Sequence, residues 1–147
     1  MSRYVRELEL RYRPGRLMRF GSEEPLTEPK QVFEAFREMA TLPKEVGVVV
    51  HLDGGKRVLG CDIATMGDSC SAPFLPKDIV RPVLYTGAAA ALVLHNPPSG
   101  NPRPSPEDVL VTRRLKEVFL LIGVEFCDHV IVGQDGFFSF AEEGLLS

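Results

Sequence analysis

Apolar residues fall along this chain in blocks whose spacing changes from one segment to the next. Between Arg3 and Tyr12, Val5, Leu8 and Leu10 stand among charged neighbours, an alternation that predicts a half-exposed strand. Pro14 to Pro25 is rich in Pro, Gly and polar residues and predicts a connection. From Pro29 to Ala40, Val32, Phe33, Phe36 and Met39 recur at helical spacing, so a surface helix with one buried stripe is expected, with Thr27 as its cap. Val46 to Leu52 is almost continuously apolar and β-branched, the pattern of a strand covered on both faces. Asp53-Gly54-Gly55-Lys56 predicts a hairpin turn, and Arg57 to Thr65 the partner strand. Gly67 to Pro73 reads as a loop, and Pro76 suits the first turn of a helix.

Ala88 to Leu94 is a short, fully apolar strand that delivers His95 to its C-terminal end. The loop from Asn96 to Pro104 holds four prolines and one glycine, which makes it stiff. Ser105 is then a good N-cap, Pro106 a good first helical residue, and Asp108 the third position of a capping box. Val111, Leu115, Val118 and Ile122 share one face of the helix that follows, and Gly123 ends it. Val124 to Val132 predicts a buried strand, Gln134-Asp135-Gly136 a turn, and Phe137 to Phe140 a last strand. Strands and helices alternate. The expected fold class is therefore α/β, one domain over residues 1–147 with a central mixed sheet flanked by helices.

Composition narrows the function classes. The chain has 147 residues, 44% hydrophobic and 25% charged, enough for a real core. Its net charge of −3 gives no electrostatic argument for nucleic acid. Arg3, Arg6, Arg11, Arg13, Arg16 and Arg19 cluster, but Glu7, Glu9, Glu23 and Glu24 stand among or after them, and the segment reads as a solvated strand face. Cys61, Cys70 and Cys127 are odd in number and form no Cys-x-x-Cys pair, which argues against a disulfide framework and against a structural zinc knot. The longest apolar run, Ala88 to Leu94, is about a third of a membrane span. A reduced, cytoplasmic setting with no membrane partner is the expectation.

His95 stands where ligands collect in open α/β sheets, yet a lone histidine there also serves as a structural residue. Ser105 and Asp108 are explained equally by helix capping. Glu45, opening the strand of Val46 to Leu52, reads on its own as an ordinary strand-end carboxylate. Their joint spacing carries more. His95, Ser105 and Asp108 stand as in the metal motif His-x-His, seven residues, Ser-x-x-Asp, with Pro97 where the second histidine would fall.

Pro98-Ser99-Gly100-Asn101-Pro102-Arg103-Pro104-Ser105-Pro106-Glu107-Asp108 resembles the RadC branch of the JAB/MPN (JAMM) superfamily. Thr112-Arg113-Arg114-Leu115, Asp128-His129-Val130-Ile131-Val132-Gly133 and the ending Ser139-Phe140-Ala141-Glu142-Glu143-Gly144-Leu145-Leu146 are similar to the same branch. The opening Arg3-Tyr4-Val5-Arg6-Glu7-Leu8 resembles its short, single-domain members. The resemblance implies a JAB/MPN-type domain in which two His and one Asp hold a catalytic zinc, a Glu from an early strand is general base, and the motif Ser helps to hold the oxyanion. By position it assigns His95 and Asp108 to the metal, and Glu45 and Ser105 to catalysis.

Two departures stand out. Pro97 has no donor atom for a metal. Leu75-Pro76-Lys77-Asp78 replaces the branch's usual His-Pro-Arg-Glu. Asn96 points away from the site if the strand continues, and His51 lies six residues beyond Glu45, about 20 Å along a strand. His129 matches a histidine of metal-binding relatives and reads as structural, which leaves a Cys70 thiolate as a replacement ligand. Two functions follow: a non-catalytic or weakly metal-binding module with an incomplete zinc site, or a zinc-dependent isopeptidase or peptidase using Glu45 as base. Partners would be a protein or a peptide substrate, with nucleic acid entering only through the family's association with DNA repair. Strand addition at an exposed edge would permit a homo-oligomer.

Overall fold

The computed structural model describes residues 4–7, 9, 11, 24–67 and 74–146, with backbone alone for 65–67. Its sheet begins with β1 (Glu45–Leu52), in which every side chain after Glu45 is buried, as a doubly covered strand requires. The hairpin to β2 (Val58–Gly67) is tied by Asp53, whose carboxylate accepts from the backbone N–H of Gly55 at 2.8 Å and of Arg57 at 2.9 Å. β3 (Ala90–His95) lies antiparallel on the other side of β1, with Gly47 opposite His95. β4 (Glu125–Val132) runs parallel to β3, and the short β5 (Phe137–Ser139) returns antiparallel to β4. The order β2-β1-β3-β4-β5 makes the mixed sheet of an α/β fold.

Side-chain alternation splits the interior in two. Val48, Val50, Leu52, Leu92, Leu94, Val130 and Val132 face α1 (Pro29–Ala35) and the 3-10 turn Arg37–Thr41, which contribute Val32, Phe33, Phe36 and Met39. Val49, Ala91 and Val93 face the opposite way, under Ile79 and Val83 of α2 (Pro76–Thr86) and Val111, Leu115 and Phe119 of α3 (Pro106–Ile122). The long α3 makes the crossover between the parallel strands β3 and β4. No helix among the described residues is long and apolar enough to cross a membrane.

Several local expectations shift. Thr27 stands one residue before the cap of α1: Glu28 is the N-cap, and the Gln31 amide oxygen accepts from the N–H groups of both Thr27 and Glu28, at 2.9 and 3.0 Å. The helix expected to reach Ala40 gives way after Ala35 to the 3-10 turn, which keeps Phe36 and Met39 buried. On α3, Val118 and Ile122 are only half-buried, because the helix turns Phe119 onto the sheet in line with Val111 and Leu115. Of the strand expected over residues 3–12, the described residues are in no strand, and Tyr4 and Val5 are exposed. The physical reason lies in the spacing: Val5 and Leu8 are three apart and would emerge on opposite faces of a strand. The rest of that segment, residues 14–23 of the connection after it, and the loop carrying Cys70 lie outside the described residues.

Candidate functional site

His95 is the last residue of β3 and is 2% exposed. Because Gly47 is its antiparallel partner, Glu45, two residues earlier on β1, emerges on the same face of the sheet. The stiff loop after His95 then turns into α3 over that face. Pro97 O accepts from Gly100 N at 3.0 Å, and Gly100 takes a left-handed φ of 76°. Gly100 O in turn accepts from Gln134 N at 3.2 Å, which fastens the loop to the β4–β5 turn.

Ser105 and Asp108 form the expected capping box: Ser105 Oγ accepts from Asp108 N at 3.1 Å, and Asp108 Oδ2 accepts from Ser105 N at 2.8 Å. One carboxylate oxygen is thereby committed to the cap. The other, Oδ1, faces His95 Nε2 at 3.8 Å, beyond hydrogen-bond distance. The structure thus brings His95, Asp108 and Ser105 together. It also sets Glu45 within their field, since burial first, and then the Asp108 charge, push the Glu45 carboxyl above the usual glutamate range. The His95 imidazole is pushed down by burial, against the opposing pull of Asp108.

His129 enters the site as well. It projects from β4 on the same face as Val93 and places Nε2 2.8 Å from His95 Nδ1. Its Nδ1 lies 2.7 Å from Thr112 Oγ1 on α3, and Thr112 Oγ1 donates to Asp108 O at 2.6 Å. The Phe140 ring stacks on His129 at 4.7 Å, and Phe74 meets both imidazoles edge-on. Burial drives the His129 pKa well down, and the neighbouring His95 adds to that. Reading His129 as structural in the sequence was silent about its contact with His95. Thr112 carried one usable signal, standing four residues after Asp108 and hence on the same helix face.

The remaining candidates go elsewhere. Asn96 points to the α1 side, where Oδ1 accepts from Val46 N at 2.6 Å and Nδ2 donates to Met39 O at 2.8 Å and Lys44 O at 3.0 Å. His51 sits at the far end of β1, paired with Asp62 through Nε2 and with Thr86 Oγ1 at 2.8 Å through Nδ1. Cys61 and Cys127 pack on the α1 side of the sheet, and burial pushes both thiols up. Cys70 lies outside the described residues. Among the described residues, no three His, Cys, Asp or Glu side chains gather closely enough to hold a metal ion.

Comparison with known proteins gives this geometry a family. The model of the RadC-like JAB domain matches residues 26–145. A UPF0758 protein of Thermotoga maritima is 41% identical over 123 residues, 84% of this chain and 55% of that protein. A UPF0758 protein of Geotalea uraniireducens is 38% identical over 140 residues, 95% of this chain and 61% of that protein. One from Aquifex aeolicus is 32% identical, over 95% of this chain and 58% of its own length. The chain thus spans little more than half the length of these relatives. With the family model covering all five strands and the loop from His95 to Asp108, the chain belongs to the RadC-like JAB domain family.

Proposed function

We propose that the chain is a RadC-like JAB domain with an incomplete zinc site, a non-catalytic or weakly metal-binding module that engages a protein or peptide partner. The observation that carries this reading is Pro97, which stands two residues after His95, where the family motif has its second histidine, and whose side chain has no donor atom for a metal. A catalytic zinc takes three protein ligands and an open position. His95 Nε2 and Asp108 Oδ1 supply two donors, and the described residues supply no third, so they do not fit that ion. The outline of the site survives for reasons independent of a metal: capping holds Ser105 and Asp108, and the proline-rich loop is anchored on Gln134. The net charge of −3 supports a protein or peptide partner over duplex DNA.

A second reading, a zinc-dependent metallohydrolase with Glu45 as general base, draws support from one feature. The Glu45 carboxyl is shifted upward beside Asp108, the direction that suits a group exchanging protons near neutral pH. Metal analysis of protein purified without chelator separates the two, alongside a Pro97→His variant. The incomplete site predicts no stoichiometric zinc in the wild-type protein and one zinc per chain in Pro97→His. Tightly held, stoichiometric zinc in the wild-type protein would sink it in favour of the hydrolase.

A further inference from the structure

A hydroxyl has one proton to give, and Thr112 gives it to the backbone of its own helix, Oγ1 donating to Asp108 O at 2.6 Å. Toward His129 Nδ1, 2.7 Å away, the same oxygen is then an acceptor, so Nδ1 carries the ring proton. His129 Nε2 faces His95 Nδ1 at 2.8 Å, and of the two directions open to that hydrogen bond, the one in which His95 Nδ1–H donates continues this hydrogen-bond chain and leaves His95 Nε2 bare.

The reversed chain would end differently. It would place a proton on His95 Nε2, facing a carboxylate oxygen, and such charge-assisted pairs close to about 2.7–2.9 Å. The separation is 3.8 Å, too long for that hydrogen bond. We infer that Thr112 and His129 are positioning residues that fix the ring proton of His95 on Nδ1 and present its Nε2 as a bare acceptor beside Asp108. This deepens the proposed function, resting on the reading of His95 and Asp108 as the surviving half of the family's site. It says why that half stays competent: a histidine ligand binds through a nitrogen whose ring partner is held by a hydrogen bond, and here that hydrogen bond is formed without an ion.

Long-range nitrogen–proton correlation spectra of metal-free, histidine-labelled protein read the ring protons directly, and the chain has only three histidines to assign. The expected spectrum shows His95 and His129 each protonated on Nδ1 and bare on Nε2. A proton on Nε2 of either ring overturns the inference, whatever the metal content. Thr112→Val, which puts a methyl group in place of the hydroxyl, should release both rings into mixed tautomers, and Thr112→Ser should restore the wild-type pattern. A folded Thr112→Val protein with unchanged tautomers removes Thr112 from the role. If Thr112→Val does not fold, the wild-type and Thr112→Ser spectra still decide.

Adding Thr112→Val to Pro97→His should weaken zinc binding about 10–100-fold, the usual effect of losing such a hydrogen bond. Equal affinity would overturn the positioning role. Failure of Pro97→His alone to take up zinc would instead count against the metal-site reading, and the tautomer result would stand apart from it.

Discussion

His95 and Asn96 are neighbours in sequence and point to opposite faces of the sheet, as alternation demands at the end of a strand. The histidine faces α3 and the site. The asparagine faces the 3-10 turn and joins three backbone groups from two stretches: Met39 O in that turn, and Lys44 O and Val46 N at the start of β1. All three bonds are made at a residue 4% exposed, so their loss would leave backbone groups without partners away from water. Asn96→Ala should cost about 2–3 kcal/mol in urea unfolding. A cost below about 1 kcal/mol would mean that water replaces the side chain there. At this scale the sequence was readable where spacing is local. His95, Ser105 and Asp108 fall within fourteen residues of one another, and one motif places them. His129 was not readable as a partner of His95, because their contact depends on the parallel register of β3 and β4, and Thr112 reaches His95 only through His129. That register slips between Ala91 and Leu92, and no local pattern announces it.

Elements with their own start signals emerged as expected. The capping box of α3, its Pro106 and its Gly123 terminus are all present, because a cap is made by residues within one turn. The cap of α1 was misplaced by one residue, since Thr27 and Glu28 both present a backbone N–H to the same Gln31 oxygen. What the sequence could not show is how the His95–Ser105 loop is pressed between elements. A Cβ on Gly133 would lie 2.7 Å from Gly100 O and 2.8 Å from Pro102 Cδ. The first is a backbone atom and the second part of a rigid ring, so neither can give way cheaply. In the sequence Gly133 was only a letter in a family motif; in the fold it is the gap that lets the β4–β5 turn meet the loop. Gly133→Ala should destabilise by about 1–3 kcal/mol, as overpacking does, and should move the amide resonances of residues 99–105. An unchanged melting temperature with unmoved resonances would show that the loop is positioned from its other end, by the α3 cap.

At the scale of the whole molecule, two apolar layers share one sheet, and the carboxylates Glu45 and Asp108 are set at the rim of one of them. Such a placement works against stability. Glu45 is partly buried near a like charge, and nothing in its pKa shift comes from a stabilising partner: both causes, burial and the Asp108 charge, raise it. The sign follows from linkage. A raised carboxyl prefers its protonated form in the folded protein, so its favourable contribution is fully present below the unfolded value of 4.5 and is lost as the pH rises through the folded value. At neutral pH the ionised Glu45 is then a net cost to folding. Glu45→Gln keeps the shape and removes the charge. It should raise the melting temperature at pH 7–8, by the equivalent of a fraction of a kcal/mol given the remaining solvent screening. The gain should shrink as the pH falls and vanish below about 4.5. Thermal unfolding of both proteins across that range checks it. A Glu45→Gln protein that is less stable at neutral pH would mean that the ionised carboxylate has a favourable partner in the folded state. A carboxylate that lowers stability where it stands fits a trade of stability for activity, which is what the second reading of this site asks of Glu45, so the sign of this one difference also bears on that reading.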